Sequence, residues 1–344
     1  MPHPSAPSAS SPSLSRRGLL AAGGAVGLGA LLTACGGSGS NSGKGGGAWS
    51  FTDDRKKKIS LDAAPKRVVA YVGTAAALHD FGAGDVIAGV FGPTKKKNGD
   101  PDVLAGDLDV KKLEVIGNAY GEFDIEKYAK VRPDLLVTNM YVKDALWYVP
   151  EESKSKILKL APSLALKTAE TSMLDSIERF AELARSLGAD LEAERVTSAK
   201  ARFEKAAEKL RKAAKASGGL KVMAASGAPD LMYVSDPSAN ADLRYFKELG
   251  VDLVVPEKIS KQGFFEELSW ENADKYKADL IILDNRTQAL QPPALKSKPT
   301  WSDLPAVKAD QVTTWNAEPR FSYAGAAPLL EELAEAIEGA KKVS

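Results

Sequence analysis

Short continuous apolar runs alternate along the chain with stretches whose apolar positions recur every three or four residues, the pattern of strands alternating with amphipathic helices. Residues 68–72 and 86–91 are apolar strand runs, and the segment between them, 74–81, reads as a helix stopped by Gly82. This predicts a β-α-β unit, the building block of a parallel sheet. Upstream, 51–54 and 59–61 predict a small hairpin. Further on, helices are predicted over 172–187 and from about 191 to 216, the second with Val196, Ala199, Phe203, Ala206, Leu210 and Ala213 in one stripe. At about 1.5 Å per residue that helix reaches roughly 40 Å, enough to cross a small two-lobed protein. After Ser217-Gly218-Gly219 the pattern starts again with a strand over 220–225 and a loop carrying Tyr233. A helix over 241–249, a strand over 253–255, a last strand over 311–315 and a closing helix over 324–340 follow.

Within this pattern lies an internal repeat. Residues 122–139, EFDIEKYAKVRPDLLVTN, recur in outline at 267–284 as ELSWENADKYKADLIILD, at the constant offset 267 − 122 = 145. Glu126 matches Glu271, Lys130 matches Lys275 and Asp134 matches Asp279. Each copy predicts a capping residue (Asp124, Ser269), an acidic first helical turn, a short amphipathic helix and an apolar strand. Two similar α/β halves imply two lobes facing each other, with a binding cleft between them.

The amino end changes the picture of where this happens. Ser15-Arg16-Arg17-Gly18-Leu19-Leu20 opens a Gly/Ala/Leu stretch that closes in Leu32-Thr33-Ala34-Cys35. The stretch resembles a twin-arginine export signal over 1–34 fused to a lipobox, with Cys35 the lipidated residue. Residues 35–50 then form a lipid-anchored flexible linker, since GGSGSNSGKGGG cannot bury apolar surface. The expected location is the extracytoplasmic face of the cytoplasmic membrane, reached by the twin-arginine route.

Cys35 is the only cysteine in 344 residues, so neither a disulfide nor a thiolate metal site is available to an exported chain whose core must suffice. A net charge of +1 argues against nucleic-acid binding. The lysine runs at 55–58, 95–97 and 111–112 read as solvated loops. Gly82-Ala83-Gly84 end a helix and enter a strand, the reverse of a dinucleotide-binding turn. With His3 in the signal and His79 alone in a helix, no imidazole cluster offers a metal site. Ser226-Gly227 follows a strand but lacks the G-x-S-x-G turn and a histidine partner, so hydrolytic chemistry has no support either. No catalytic residue, metal site or resident cofactor is expected, and the chain reads as a non-enzyme.

PKRVVAYVG (65–73), FDIEKYAKVRPDLLV (123–137), LSWENADKYKADLIIL (268–283) and WSDLPAVKADQVTTWN (301–316) come in this order over almost the full mature chain. Together they resemble the substrate-binding proteins of the iron-siderophore, haem and cobalamin uptake family. The resemblance implies an α/β fold of two Rossmann-like lobes with central parallel-type sheets, at 51–188 and 218–344, joined by a single long helix at 189–217. It implies capture of a ferric siderophore, the hydroxamate type favoured, and delivery to an ABC importer permease with its ATPase. Haem or cobalamin is the alternative within the family, and an extracytoplasmic Rossmann-like enzyme the alternative outside it. The protein is expected to be a monomer that meets the membrane only through its lipid.

Ligands of open α/β sheets sit beyond the carboxyl ends of the strands. The candidates there are Tyr120, Tyr141, Trp147 and Tyr148 in the first lobe, and Tyr233, Phe265, Arg286, Trp315, Arg320 and Tyr323 in the second. Aromatic faces and a few N–H or O–H donors suit a bulky ferric complex whose metal is already saturated by oxygen ligands. By resemblance, Tyr120 and Tyr141 fall at or next to positions that donate hydrogen bonds to the iron-coordinating oxygens, with a tyrosine here where the family has an arginine at the first. Glu126 and Glu271 match the glutamates that dock the family's two lobes to permease arginines. As acids at helix starts they also suit the helix dipole.

Overall fold

The computed structural model describes residues 47–261, 263–298 and 300–344. The export signal, Cys35 and nearly all of the linker lie outside them. Among the described residues no helix is long and apolar enough to cross a membrane.

The described chain opens with an antiparallel hairpin, β1 (Trp49–Thr52) and β2 (Lys58–Leu61). The first lobe follows: β3 (Val68–Tyr71), α1 (Val72–Phe81), β4 (Ile87–Phe91), β5 (Glu114–Gly117), α2 (Ile125–Val131), β6 (Leu135–Met140), α3 (Lys154–Leu160), β7 (Ser163–Lys167) and α4 (Met173–Ser186). Its five strands lie in the order β5-β4-β3-β6-β7, all parallel. Val68, Val69, Leu135, Leu136 and Val137 are wholly buried, as strands covered on both faces require. The long helix α5 (Glu194–Ala216) leads to the second lobe. That lobe holds β8 (Lys221–Gly227), β9 (Leu231–Ser235), α6 (Ala241–Glu248), β10 (Asp252–Leu253), β11 (Phe265–Ser269), β12 (Leu280–Asp284), α7 (Pro292–Leu295), α8 (Pro305–Lys308), β13 (Val312–Trp315) and α9 (Tyr323–Gly339). Its sheet runs β11-β9-β8-β12-β13, with β10 against the start of β8. This is the expected two-lobed α/β architecture.

The repeat has a structural meaning. β6 lies beside β3, the first strand of its sheet, and β12 lies beside β8, the first strand of the second lobe. The matched aspartates do the same work. Asp134 Oδ2 accepts from the backbone N–H of Lys66 and Arg67 at 2.9 and 3.0 Å, just ahead of β3. Asp279 Oδ2 accepts from Lys221 N–H at 2.8 Å, at the start of β8.

Two expectations are corrected. In the second copy of the repeat the α-helix is absent: a single 3-10 turn covers Trp270–Asn272, and Ser269 makes no side-chain cap. Asn272 and Asp274 are weak helix formers, and the buried Glu266 draws Lys275 Nζ and the Tyr276 hydroxyl to 2.5 Å each. In the first copy Asp124 does cap α2, accepting from Lys127 N–H at 2.9 Å. The second sheet is mixed rather than parallel, because Tyr233 and Phe265 lie not in loops but on two antiparallel strands, β9 and β11. The short turn around Pro229 folds β9 straight back on β8, with Ala228 N–H donating to Leu231 O at 2.8 Å.

With 23 residues α5 spans about 35 Å. It packs along α9, and its buried stripe includes Val196, Phe203, Ala206, Leu210 and Ala213 as the periodicity predicts. Ala199 is only partly buried. The lobes also meet where Glu170 N–H donates to Ala239 O at 2.8 Å and Ser172 to Glu248 at 2.9 Å.

Candidate functional site

The strands of both lobes end at one cavity of about 320 Å³. β6 delivers Tyr141 and Trp147, β8 delivers Ser226 and Gly227, β12 delivers Asp284 and Arg286, and β13 delivers Trp315 and Glu318. Tyr233 and Phe265 close the second-lobe side, their rings edge to face at 4.7 Å. Six of the ten sequence candidates therefore share one wall: Tyr141, Trp147, Tyr233, Phe265, Arg286 and Trp315.

Tyr148 and Tyr120 stand just outside it. Tyr148 is buried against Tyr71, ring centroids 5.3 Å apart, with its hydroxyl 3.5 Å from Gln288 of the cavity. Its φ of 61° is a left-handed backbone that costs a bulky residue about 1 kcal/mol or more, held in place here by ring packing. Tyr120 is 75% exposed and reaches the site through edge contacts to Trp147 and Tyr148.

Arg320 and Tyr323 are corrected: neither lines the cavity. Arg320 Nη1 lies 3.3 Å from Asp80 and 3.2 Å from Asp107, both in the first lobe, so its cation ties the lobes together. The fit needs Gly106, where an added Cβ would stand 2.2 Å from that nitrogen. Tyr323 begins α9 and packs on Phe81 and Phe203, at 5.8 and 5.6 Å, on the side where α5 runs. Glu126 and Glu271 are exposed and make no part of the cavity, one on the first turn of α2 and the other on the 3-10 turn.

The centre of the site is a buried charge network that sequence reasoning missed. Arg286 forks onto Asp284, Nε to Oδ1 at 3.0 Å and Nη2 to Oδ2 at 2.7 Å, while its Nη1 reaches Glu318 Oε1. Glu318 Oε2 in turn accepts from the Tyr71 hydroxyl and, at 3.0 Å, from Trp147 Nε1. One carboxylate thus joins groups of both lobes. The Ser226 hydroxyl completes the chain at 2.9 Å from Asp284 Oδ2. Burial works against the charge of Arg286, but the hydrogen bonds to Asp284 and the charge of Glu318 outweigh it, so its pKa is raised and it stays protonated. Burial, then the Glu318 charge, pushes the Tyr71 and Tyr141 hydroxyls well above their ordinary pKa, so both remain neutral O–H groups. Behind the wall Trp315 Nε1 donates to Asp242 Oδ2 at 2.6 Å, and burial pushes that carboxyl up to about 6. Gly92 makes room for the Tyr71 ring: its φ is 91°, and an added Cβ would meet that ring at 2.7 Å.

Chemically, this is a half-apolar basket. Aromatic rings provide contact area, and Arg286 keeps two N–H groups beyond those bonded to its carboxylates. The charged residues of the wall are Asp284, Arg286 and Glu318, which sum to −1. Among the described residues no group of three or more His, Cys, Asp or Glu side chains could hold a metal ion. Ser226 and Asp284 touch, but no histidine lines the cavity to make a nucleophile of the serine. The pattern could point to Arg286, which follows an apolar strand. It could not point to Glu318, whose partners lie up to 247 positions away.

The model of the periplasmic binding protein family matches residues 68–319. A comparison with curated proteins finds no match. Among solved structures, DesE, a ferric-siderophore receptor protein from Streptomyces coelicolor, is 51% identical, with 86% of this chain and 100% of that one covered and a TM-score of 0.83. The fold is shared by the triscatecholate siderophore binding protein FeuA from Bacillus subtilis (16% identity, 84% and 97% covered, TM-score 0.62). It is shared also by FhuD2 from Staphylococcus aureus (20% identity, 81% and 100% covered, TM-score 0.54). With 252 residues from 68 to 319 matched, the chain belongs to the periplasmic binding proteins, a family that binds solutes rather than transforming them.

Proposed function

We propose that the protein is an extracytoplasmic receptor that captures a ferric siderophore of the hydroxamate type and delivers it to an ABC importer. The observation that carries this reading is the pairing of an aromatic basket with one guanidinium whose charge is more than balanced by Asp284 and Glu318. Three hydroxamates neutralise ferric iron, so their complex has no net charge from its core and presents carbonyl and N–O oxygens as acceptors. The residual N–H groups of Arg286 and the neutral hydroxyl of Tyr141 suit those acceptors, and the rings suit the carbon shell. The 51% identical DesE, a ferric-siderophore receptor, supports the same class of ligand. Haem is less well served: of the side chains that ligate its iron only Tyr141 and Tyr233 line the cavity, and burial raises the pKa of both hydroxyls, against the phenolate an iron bond needs.

The remaining parts of the reading concern delivery. Cys35 would carry a lipid after twin-arginine export, leaving a flexible tether to the folded lobes. Fatty-acid labelling that persists in Cys35→Ala would refute the anchor. Glu126 and Glu271 would meet cationic residues of the permease.

Trp147 and Trp315 stand in the cavity wall, so tryptophan fluorescence reads occupancy directly. Titration with ferric tris-hydroxamates, ferric tris-catecholates, haem and cobalamin should give saturable quenching at the lowest concentration with a hydroxamate. Tighter quenching by haem or cobalamin would overturn the assignment.

A further inference from the structure

We infer that Glu318 is the charge filter of the cavity, the residue that excludes polyanionic ferric complexes. The inference rests on the siderophore reading above and adds the residue that sets its selectivity. Glu318 is 4% exposed, yet it lines the cavity. It is held at both oxygens, by Arg286 on one and by Tyr71 and Trp147 on the other. Its backbone N–H is fixed by Asn316 Oδ1 at 3.0 Å, so the side chain is anchored at its base as well. Swinging the carboxylate away would leave a buried acid without partners, a strongly unfavourable state.

Two consequences follow for a ligand. Arg286 is the only cation among the lining residues, and Asp284 already holds it in a fork. Glu318 takes a third N–H and leaves the wall at −1, so Arg286 can donate hydrogen bonds from its two remaining N–H groups but cannot act as a counter-ion. A neutral complex needs only the donors. A tris-catecholate carries three negative charges, because each catecholate supplies two to a trivalent ion, and it meets net repulsion in a cavity where charges interact strongly. With Gln at position 318 the wall sums to zero and the guanidinium retains one carboxylate partner instead of two.

The test is the ratio of affinities for two probes, ferrichrome as the neutral tris-hydroxamate and ferric enterobactin as the trianionic tris-catecholate. In Glu318→Gln the ratio should move toward the anionic probe by tenfold or more. The Gln288→Glu/Glu318→Gln double variant puts one carboxylate back on the lining, returning the wall to −1 with Arg286 in place, and should return the ratio to the wild-type value. Should Glu318→Gln fold poorly, Asp284→Asn makes the same charge step from the other side of the guanidinium and should shift the ratio the same way. A ratio unchanged in both single variants, or a shift that persists in the double variant, overturns the filter while leaving siderophore capture intact. Wild-type protein that binds neither probe overturns both the filter and the function on which it rests.

Discussion

Arg286 cannot be read as a free cation waiting for an anion, since Asp284 and Glu318 both hold it. Removing the side chain would strand two buried carboxylates, so Arg286→Ala should lose stability as well as affinity, the stability loss being about 3 kcal/mol. Arg286→Lys is the sharper probe: it keeps the charge but not the fork. Its affinity for a ferric hydroxamate should fall about tenfold, the cost of roughly one hydrogen bond. Calorimetric titration beside thermal melts separates the two effects, and unchanged affinity in both variants would remove Arg286 from the binding surface. Asp242 gives a second prediction. Its carboxyl is raised to about 6 by burial, from 3.8. The folded state therefore holds the proton more tightly than the unfolded one. The resulting stabilisation is full below about pH 4 and is lost as pH rises to about 6, by on the order of 3 kcal/mol at most. Between pH 4.5 and 7 the wild type should lose melting temperature relative to Asp242→Asn. A difference between the two that does not vary with pH would mean that Asp242 titrates normally.

At the scale of elements, legibility followed the physics of each segment. Strands β3, β4, β6 and β12 were readable because a strand buried on both faces must be apolar throughout. The apolar stripe of α5 was readable because one face must meet α9. The hairpin of β9 with β8 and β11 was not. Each of β9 and β11 is five residues long with part-exposed positions, and Pro229, Asp230 and Pro237 punctuate the region like a loop. In the second repeat the pattern of the first suggested a helix, but tertiary pull from Glu266 on Lys275 and Tyr276 prevailed. Arg320 shows the limit most plainly. It follows a strand end as Arg286 does, and nothing local says that its partner is Asp80, 240 positions away. As a lobe-to-lobe tie with side chains only 16% and 5% exposed, its loss should be felt in stability. Arg320→Ala should cost about 1–3 kcal/mol by leaving Asp80 short of its cation, with ferric-siderophore affinity within a few-fold of wild type. A large affinity loss without destabilisation would return Arg320 to the ligand site.

For the whole molecule, the division of labour between faces is the main proposition. The cavity gathers groups from the strand ends of both lobes, whereas Glu126 and Glu271 are exposed and outside it. Changing both to alanine should leave siderophore affinity within a few-fold of wild type and abolish uptake by cells. Substitution by arginine should impair uptake at least as much, since like charges would then meet across the permease interface. Unimpaired uptake by the double alanine variant would reduce the pair to surface residues. How firmly the lobes are held together also bears on capture. Glu318, Arg320 and the contacts of residues 170 and 172 link them at separate places, so binding should require little closure. The cavity is expected to take iron only as a preformed, oxygen-saturated complex. Calorimetric titration of the wild-type protein with a ferric tris-hydroxamate, the iron-free hydroxamate and ferric ion in a weak chelator decides it. One saturable site is expected for the ferric complex, with much weaker binding of the iron-free ligand and none of the ion. Stoichiometric uptake of the bare ion, or no saturable binding of any ferric complex, would contradict it.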